Sequence, residues 1–308
     1  MHQLKRFYNP IGLYVGLTAA FFCLVALLPA SQEVMANYDL SARQYHILLF
    51  LVELPLAAIW FAAFYSYGRL RNYARAIAQT PEGQGFSALA VGGRWLALGL
   101  VIPTIISLTA NGIANRHPSF HSTAIIVSNY LNVVFPLLAF GAIARGSHAL
   151  TLMQRTRPSL SSIRLMMVAF IMLGVGYCLF TFQHLDLHDA STTLNPYFLP
   201  LWLVMPTLMV PYLYTWFIGL FAAQELSVLA QHVKGVLYRQ SLRLLAVGVS
   251  LVVAGSIGQQ YFRAITPRVG HLSLSAVLVT TYLIYVVIVG GFILMSLGAY
   301  RLKRIEDI

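Results

Sequence analysis

The chain has 308 residues, 58% of them hydrophobic and only 9% charged. Soluble domains carry about 25% charged residues and disordered chains need low hydrophobicity, so both classes are excluded, and the mean hydropathy of +0.73 points to a helical membrane protein. The net charge of +11 would suggest nucleic acid in a soluble protein; here the basic residues sort by loop, and no nucleic-acid partner is expected.

A bilayer core takes about 20 apolar residues per helix. In chain order the predicted spans are 11–30, 47–67, 95–113, 124–144, 165–182, 196–223, 242–257 and 272–300. The first has a basic flank and ends Leu28-Pro29-Ala30, a poor cleavage site, and reads as a retained signal anchor. The second holds Glu53 and Pro55 and runs on into residues 68–79, where Leu70, Tyr73, Ala74 and Ile77 share a helical face. Pro-Glu-Gly-Gln-Gly at 81–85 reads as a loop. The third span ends at Asn111, and the fourth carries Ser128, Asn129 and Asn132 in its outer half. The sixth contains Pro196, Pro200, Pro206 and Pro211, and residues 224–239 behind it repeat the amphipathic pattern with Leu226, Leu229, Val233, Val236 and Leu237. The seventh is short and rich in glycine, and the eighth carries Thr280, Thr281 and Tyr282.

Counted by alternate loops, sixteen Lys and Arg fall on one side and only Arg43, Arg116, Arg263 and Arg268 on the other. By the positive-inside rule this places both termini in the cytoplasm, in a multi-pass protein of the cell membrane. The fold class expected is therefore all-α, with eight transmembrane helices, N-in and C-in. Two parallel four-helix repeats are also expected, 1–157 and 158–308. Pro55-x4-Trp60-Phe61 recurs as Pro211-x4-Trp216-Phe217 at offset 156. Cys23-Leu24 recurs at offset 155, Arg94-to-Gly99 resembles Arg243-to-Gly248 at 149, and Tyr130-Leu131 pairs with Tyr282-Leu283 at 152.

Glu53 is the one acidic residue inside a predicted span, and an intramembrane carboxylate is a functional candidate by default. With Asn111, Asn129, Asn132, Thr280 and Thr281 toward the same leaflet, it outlines an outward-facing polar site. The expectation that follows is a small secondary transporter or channel-like protein, with Glu53 as coupling group.

Histidines support a different expectation. His117 and His121, and His184 and His188, are i, i+4 pairs able to share a metal, with Asp186 between the second pair. His46, His121, His188 and His271 each precede a span on the outer side, where paired histidines could hold a haem. That layout is similar to haem A synthases, whose Glu-x-x-His-Arg pattern this chain lacks. The alternative class is thus a haem- or divalent-metal-binding membrane redox protein. A third is the non-catalytic subunit of a membrane complex, docking a cytoplasmic partner through 68–79 and 224–239. Cys23 and Cys178 lie in spans and form no CxxC motif, and neither a P-loop nor a GxSxG is present.

Overall fold

The computed structural model describes residues 41–113, 118–153, 168, 210–265 and 273–306. They form six long helices: α1 (Ala42–Ala76), α2 (Pro81–Ile113), α3 (Pro118–Met153), α4 (Val210–His232), α5 (Val236–Ile265) and α6 (Leu274–Glu306). Each contains an 18-residue stretch of mean hydropathy between 1.3 and 2.4 and is long and apolar enough to cross a membrane. These helices contain the second, third, fourth and seventh expected spans, residues 210–223 of the sixth and residues 274–300 of the eighth. The first and fifth lie outside the described residues, as do Pro196, Pro200 and Pro206.

Local chemistry sets the helix ends. Ser41 caps α1 in a reciprocal box: its hydroxyl accepts from the Gln44 amide, and the Gln44 side chain accepts from the Ser41 amide at 2.8 Å. The segment 81–85 is not the loop expected from its Pro and Gly content; it is the first turn of α2, and the connection is confined to 77–80. Proline suits the first helical position because its missing N–H is unpaired there anyway. Gly83 and Gly85 serve close packing: a Cβ on Gly83 would stand 3.0 Å from Ala78 Cα, and one on Gly85 would stand 3.1 Å from the Gly146 carbonyl oxygen. Residues 224–239 are likewise not one amphipathic helix. The chain leaves the helix at 233–235, and Arg239 of α5 donates back to the Val233 carbonyl at 3.1–3.2 Å. Leu226, Leu229 and Val233 are buried, whereas Val236 and Leu237 beyond the turn are exposed.

The six helices close a ring in chain order, α6 returning to α1. Consecutive helices joined by short connections run antiparallel, as Gly99 against Phe135 and Gly85 against Leu150 show for α2 and α3. Two seams are parallel. On the α6·α1 seam, Tyr282 meets Leu51 and Tyr300 meets Arg69. On the α3·α4 seam, Phe140 meets Gly219 and His148 meets Glu225. Consequently α3 ends at the opposite end of the ring from where α4 begins.

The antiparallel pairs α2·α3 and α5·α6 are the tightest, because glycines let their backbones touch. A Cβ on Gly248 would stand 2.7 Å from the Gly291 carbonyl oxygen, and one on Gly291 would stand 2.8 Å from that of Gly248. A Cβ on Gly146 would likewise lie 2.6 Å from the Gly85 carbonyl oxygen. Small residues at such contacts are how helices pack in lipid, where hydrocarbon gives no hydrophobic drive between them. Every buried position of α5 among the described residues has a buried counterpart 156 residues earlier on α2, including Gly92 for Gly248, Leu89 for Leu245 and Gly99 for Gly255. That offset is one heptad longer than the 149 of the Arg94 and Arg243 sequence match.

At its centre the ring is filled by Leu70, Leu89, Ile143, Leu226, Leu245 and Met295, one from each helix and all nearly sealed from solvent. The stripe Leu70, Tyr73, Ala74 and Ile77 is therefore part of the ring's own core. Outward, Val134, Leu138, Val279, Leu283, Val286, Ile293 and Leu297 are exposed. An apolar perimeter of that extent suits lipid rather than water.

Eleven Lys and Arg of the described residues lie toward one end of the ring: Arg69, Arg71, Arg75, Arg94, Arg145, Lys234, Arg239, Arg243, Arg301, Lys303 and Arg304. Only Arg43 and Arg263 lie toward the other. The end with eleven is called the basic end below.

Candidate functional site

The α3·α4 seam carries the one ion pair among the described residues. His148 Nδ1 lies 2.9 Å from Glu225 Oε1, with the imidazole side chain 55% exposed and the carboxylate 2% exposed. Helix α4 continues past Ala223, where the hydrophobic run stops, to His232, so Glu225 sits within a helix long and apolar enough to cross a membrane and is turned into the bundle. Ser147 lies beside the carboxylate. Glu225 Oε2 and the neighbouring Gln224 Oε1 are sealed and have no well-formed hydrogen bond among the described residues. Burying a carboxylate is costly unless it is paired and hydrogen-bonded. Here half of its hydrogen-bonding capacity rests on a single imidazole.

The α6·α1 seam has a different pair at the matching place. Counting back 156 residues from Glu225 on α4 reaches Arg69 on α1, and counting forward 152 from His148 on α3 reaches Tyr300 on α6. The Arg69 guanidinium stands 4.9 Å over the Tyr300 ring and donates from Nε to the Tyr65 hydroxyl at 3.1 Å. This contact is a cation on aromatic faces and has no acidic member.

The end of the α6·α1 seam away from the basic end is also fixed. Pro55 has no N–H, so the Leu51 carbonyl four residues earlier loses its donor within the helix. The Tyr282 hydroxyl of α6 donates to that carbonyl at 2.6 Å. Between α2 and α3, the Ser128 hydroxyl donates to the Pro103 carbonyl at 2.8 Å.

Of the residues expected to form an outward-facing site, Glu53, Asn111 and Asn129 lie on α1, α2 and α3, and their side chains are outside the described set. Asn132 and Thr280 are half-buried and Thr281 is buried. His46 is half-buried in the first turn of α1 and donates to the Ala42 carbonyl at 2.7 Å. His121 lies on α3 with its side chain outside the description, and His117, His184, Asp186, His188 and His271 fall outside the described residues. Among the described residues, no three His, Cys, Asp or Glu are placed to hold a metal ion.

Glu225 and His148 are what the sequence reading missed. The apolar run ends at Ala223, which places Glu225 nominally beyond the membrane, and His148 nominally in a cytoplasmic loop. The signal available was the pattern itself: Leu226, Leu229 and Val233 continue the buried stripe of α4 past Glu225.

No protein-family model, no curated protein and no solved structure matches the chain. What the fold defines is a bundle of helices fit to span a membrane, with a buried carboxylate paired to an exposed imidazole on one of its parallel seams.

Proposed function

We propose that this chain is a small secondary transporter or channel-like protein of the cell membrane. It has eight spans, both termini in the cytoplasm, and two parallel four-helix halves, 1–157 and 158–308. The observation that carries this reading is the buried Glu225 carboxylate, paired with the exposed imidazole of His148. Ionisable residues inside membrane bundles are expensive, and they mark ion pathways and proton relays.

Its position adds support. Helices α1, α2 and α3 belong to the first half and α4, α5 and α6 to the second, so both parallel seams run between the halves. Alternating access in transporters built from repeats is rocking of one half against the other. The shared burial pattern of α2 and α5 and the correspondence of Glu225 with Arg69 favour such a repeat. The parallel run of α3 and α4 is compatible with the proposed fifth span at 165–182 between them. Eleven basic residues at one end favour placing that end in the cytoplasm. There the six apolar side chains at the centre form the closed inner side of an outward-facing arrangement, with Glu53, Asn129, Asn132 and Thr281 on the open side.

The reading is tested by rapid solution exchange on protein-containing liposomes adsorbed to a solid-supported membrane. A pH jump, applied alone and with pooled small metabolites, should give protein-dependent charge movement. Folded protein that gives no more current than empty liposomes under every condition contradicts it. Glu53→Gln that leaves transport and its pH dependence unchanged removes Glu53 from the coupling role.

A further inference from the structure

We infer that Glu225 is a proton-loading site filled from the basic end through His148, the imidazole being its route to water among the described residues. This rests on Glu225 being the ionisable group of the proposed function, and it adds the path and the direction of access.

The geometry has three parts. First, the carboxylate is sealed, with 2% exposure, and the one described ionisable group bonded to it is His148 at 2.9 Å. Second, that imidazole is more than half exposed, so one ring nitrogen can face the carboxylate while the other faces outward. Third, His148 lies one turn beyond Arg145, whose exposed guanidinium needs water at that level of the seam. Ser147 lies beside the carboxylate, and among the described residues no Lys or Arg is paired with it. Charged groups of the adjoining helices toward this end are otherwise engaged or exposed, Arg94 of α2 among the exposed ones. Arg239 of α5 is turned to the Val233 carbonyl, Arg243 of α5 is exposed, and Glu82 is in the first turn of α2.

The transfer balances within the pair. Neutral His148 starts with its proton on Nδ1, donated to Glu225 Oε1. Nε2 takes a proton from hydronium at the basic end, leaving water, and Nδ1 releases its own to Oε1. The imidazole ends neutral with its proton on Nε2, and the carboxylate becomes a carboxylic acid. One proton has entered the bundle and no charge is left unpaired. A histidine suits this because its two nitrogens are distinct and its charge changes near neutral pH. The corresponding Arg69–Tyr300 contact cannot do the same, since guanidinium does not deprotonate in proteins.

The test is infrared difference spectroscopy of the purified full chain in lipid nanodiscs, titrated with pH and followed during exchange from H2O to D2O. The wild type should show a carboxylic acid C=O band that titrates and is lost in Glu225→Gln. In His148→Gln the band should persist but exchange at least tenfold more slowly. Unfolding midpoints of both variants near the wild-type value separate this from loss of structure. The inference is overturned by a titrating band that survives in Glu225→Gln. It is also overturned by its absence from the wild type, or by exchange in His148→Gln as fast as in the wild type. The band reports a proton on Glu225 whether or not a substrate moves, so an absence of transport current leaves this result readable.

Discussion

Glu225 and Arg69 stand at corresponding points of the two parallel seams, 156 residues apart, and each reaches across to the neighbouring helix. Glu225 meets a histidine and Arg69 meets a tyrosine. The two contacts are alike in place and opposite in chemistry: one can gain and lose a proton, and the other holds a fixed charge. On the proposal above, one seam then responds to protons and the other does not.

The first prediction concerns the responsive seam. Removing the imidazole leaves the buried Glu225 carboxylate uncompensated, and an orphaned buried polar group costs about 1–3 kcal/mol. His148→Ala should therefore lower stability by about 2 kcal/mol in detergent unfolding. In a Glu225→Leu background the same substitution should cost much less, since an apolar residue of similar size needs no partner. Equal costs in the two backgrounds would show that the pair carries no coupling.

The fixed seam gives a cycle of its own. Tyr282→Phe removes the donor to the Leu51 carbonyl and should cost about 0.5–1.5 kcal/mol. With Pro55→Ala in place, the new amide at position 55 can take that carbonyl, and Tyr282→Phe should become nearly neutral. A cost that stays the same in both backgrounds would mean the tyrosine acts by packing alone.

Glycine substitutions separate contact from propensity. Gly248→Ala drives a methyl against the Gly291 backbone, 2.7 Å from its carbonyl oxygen, and should cost about 1–3 kcal/mol. Gly141→Ala and Gly290→Ala meet nothing within 4 Å. They should be neutral or gain up to about 1 kcal/mol from helix propensity. Thermal unfolding of the three variants decides it.

What the sequence made legible follows from what hydropathy measures. The α1, α2, α3, α4, α5 and α6 helices were all visible as apolar runs. Their full lengths were not, because the helices continue past the runs on buried stripes such as Leu226, Leu229 and Val233. Gly83 and Gly85 read as loop formers, since a glycine needed for backbone approach looks the same in sequence as one needed for a turn. Glu225 was hidden by the same boundary: Gln224 and Glu225 end an apolar window while the helix carries on into the bundle. The pairing of His148 with Glu225 joins residues 77 apart on helices that the local pattern does not relate. Glu53 and the histidines were legible as residue types in and beside apolar runs, a pattern that carries no information on what their side chains meet.

Orientation is open to direct labelling. With Cys23 and Cys178 replaced by alanine, a single cysteine at Ser273 should react with a membrane-impermeant maleimide on intact cells. One at Gly235, in the α4–α5 turn at the basic end, should react only after permeabilisation. Labelling of both positions from the same side would contradict the bundle's spanning the membrane between them.

The most direct test of the central claim is Glu225→Gln in the pH-jump experiment. The account predicts that the protein-dependent charge movement disappears, while the variant unfolds near the wild-type midpoint and Arg69→Gln retains the movement. Charge movement of wild-type size in Glu225→Gln would contradict it.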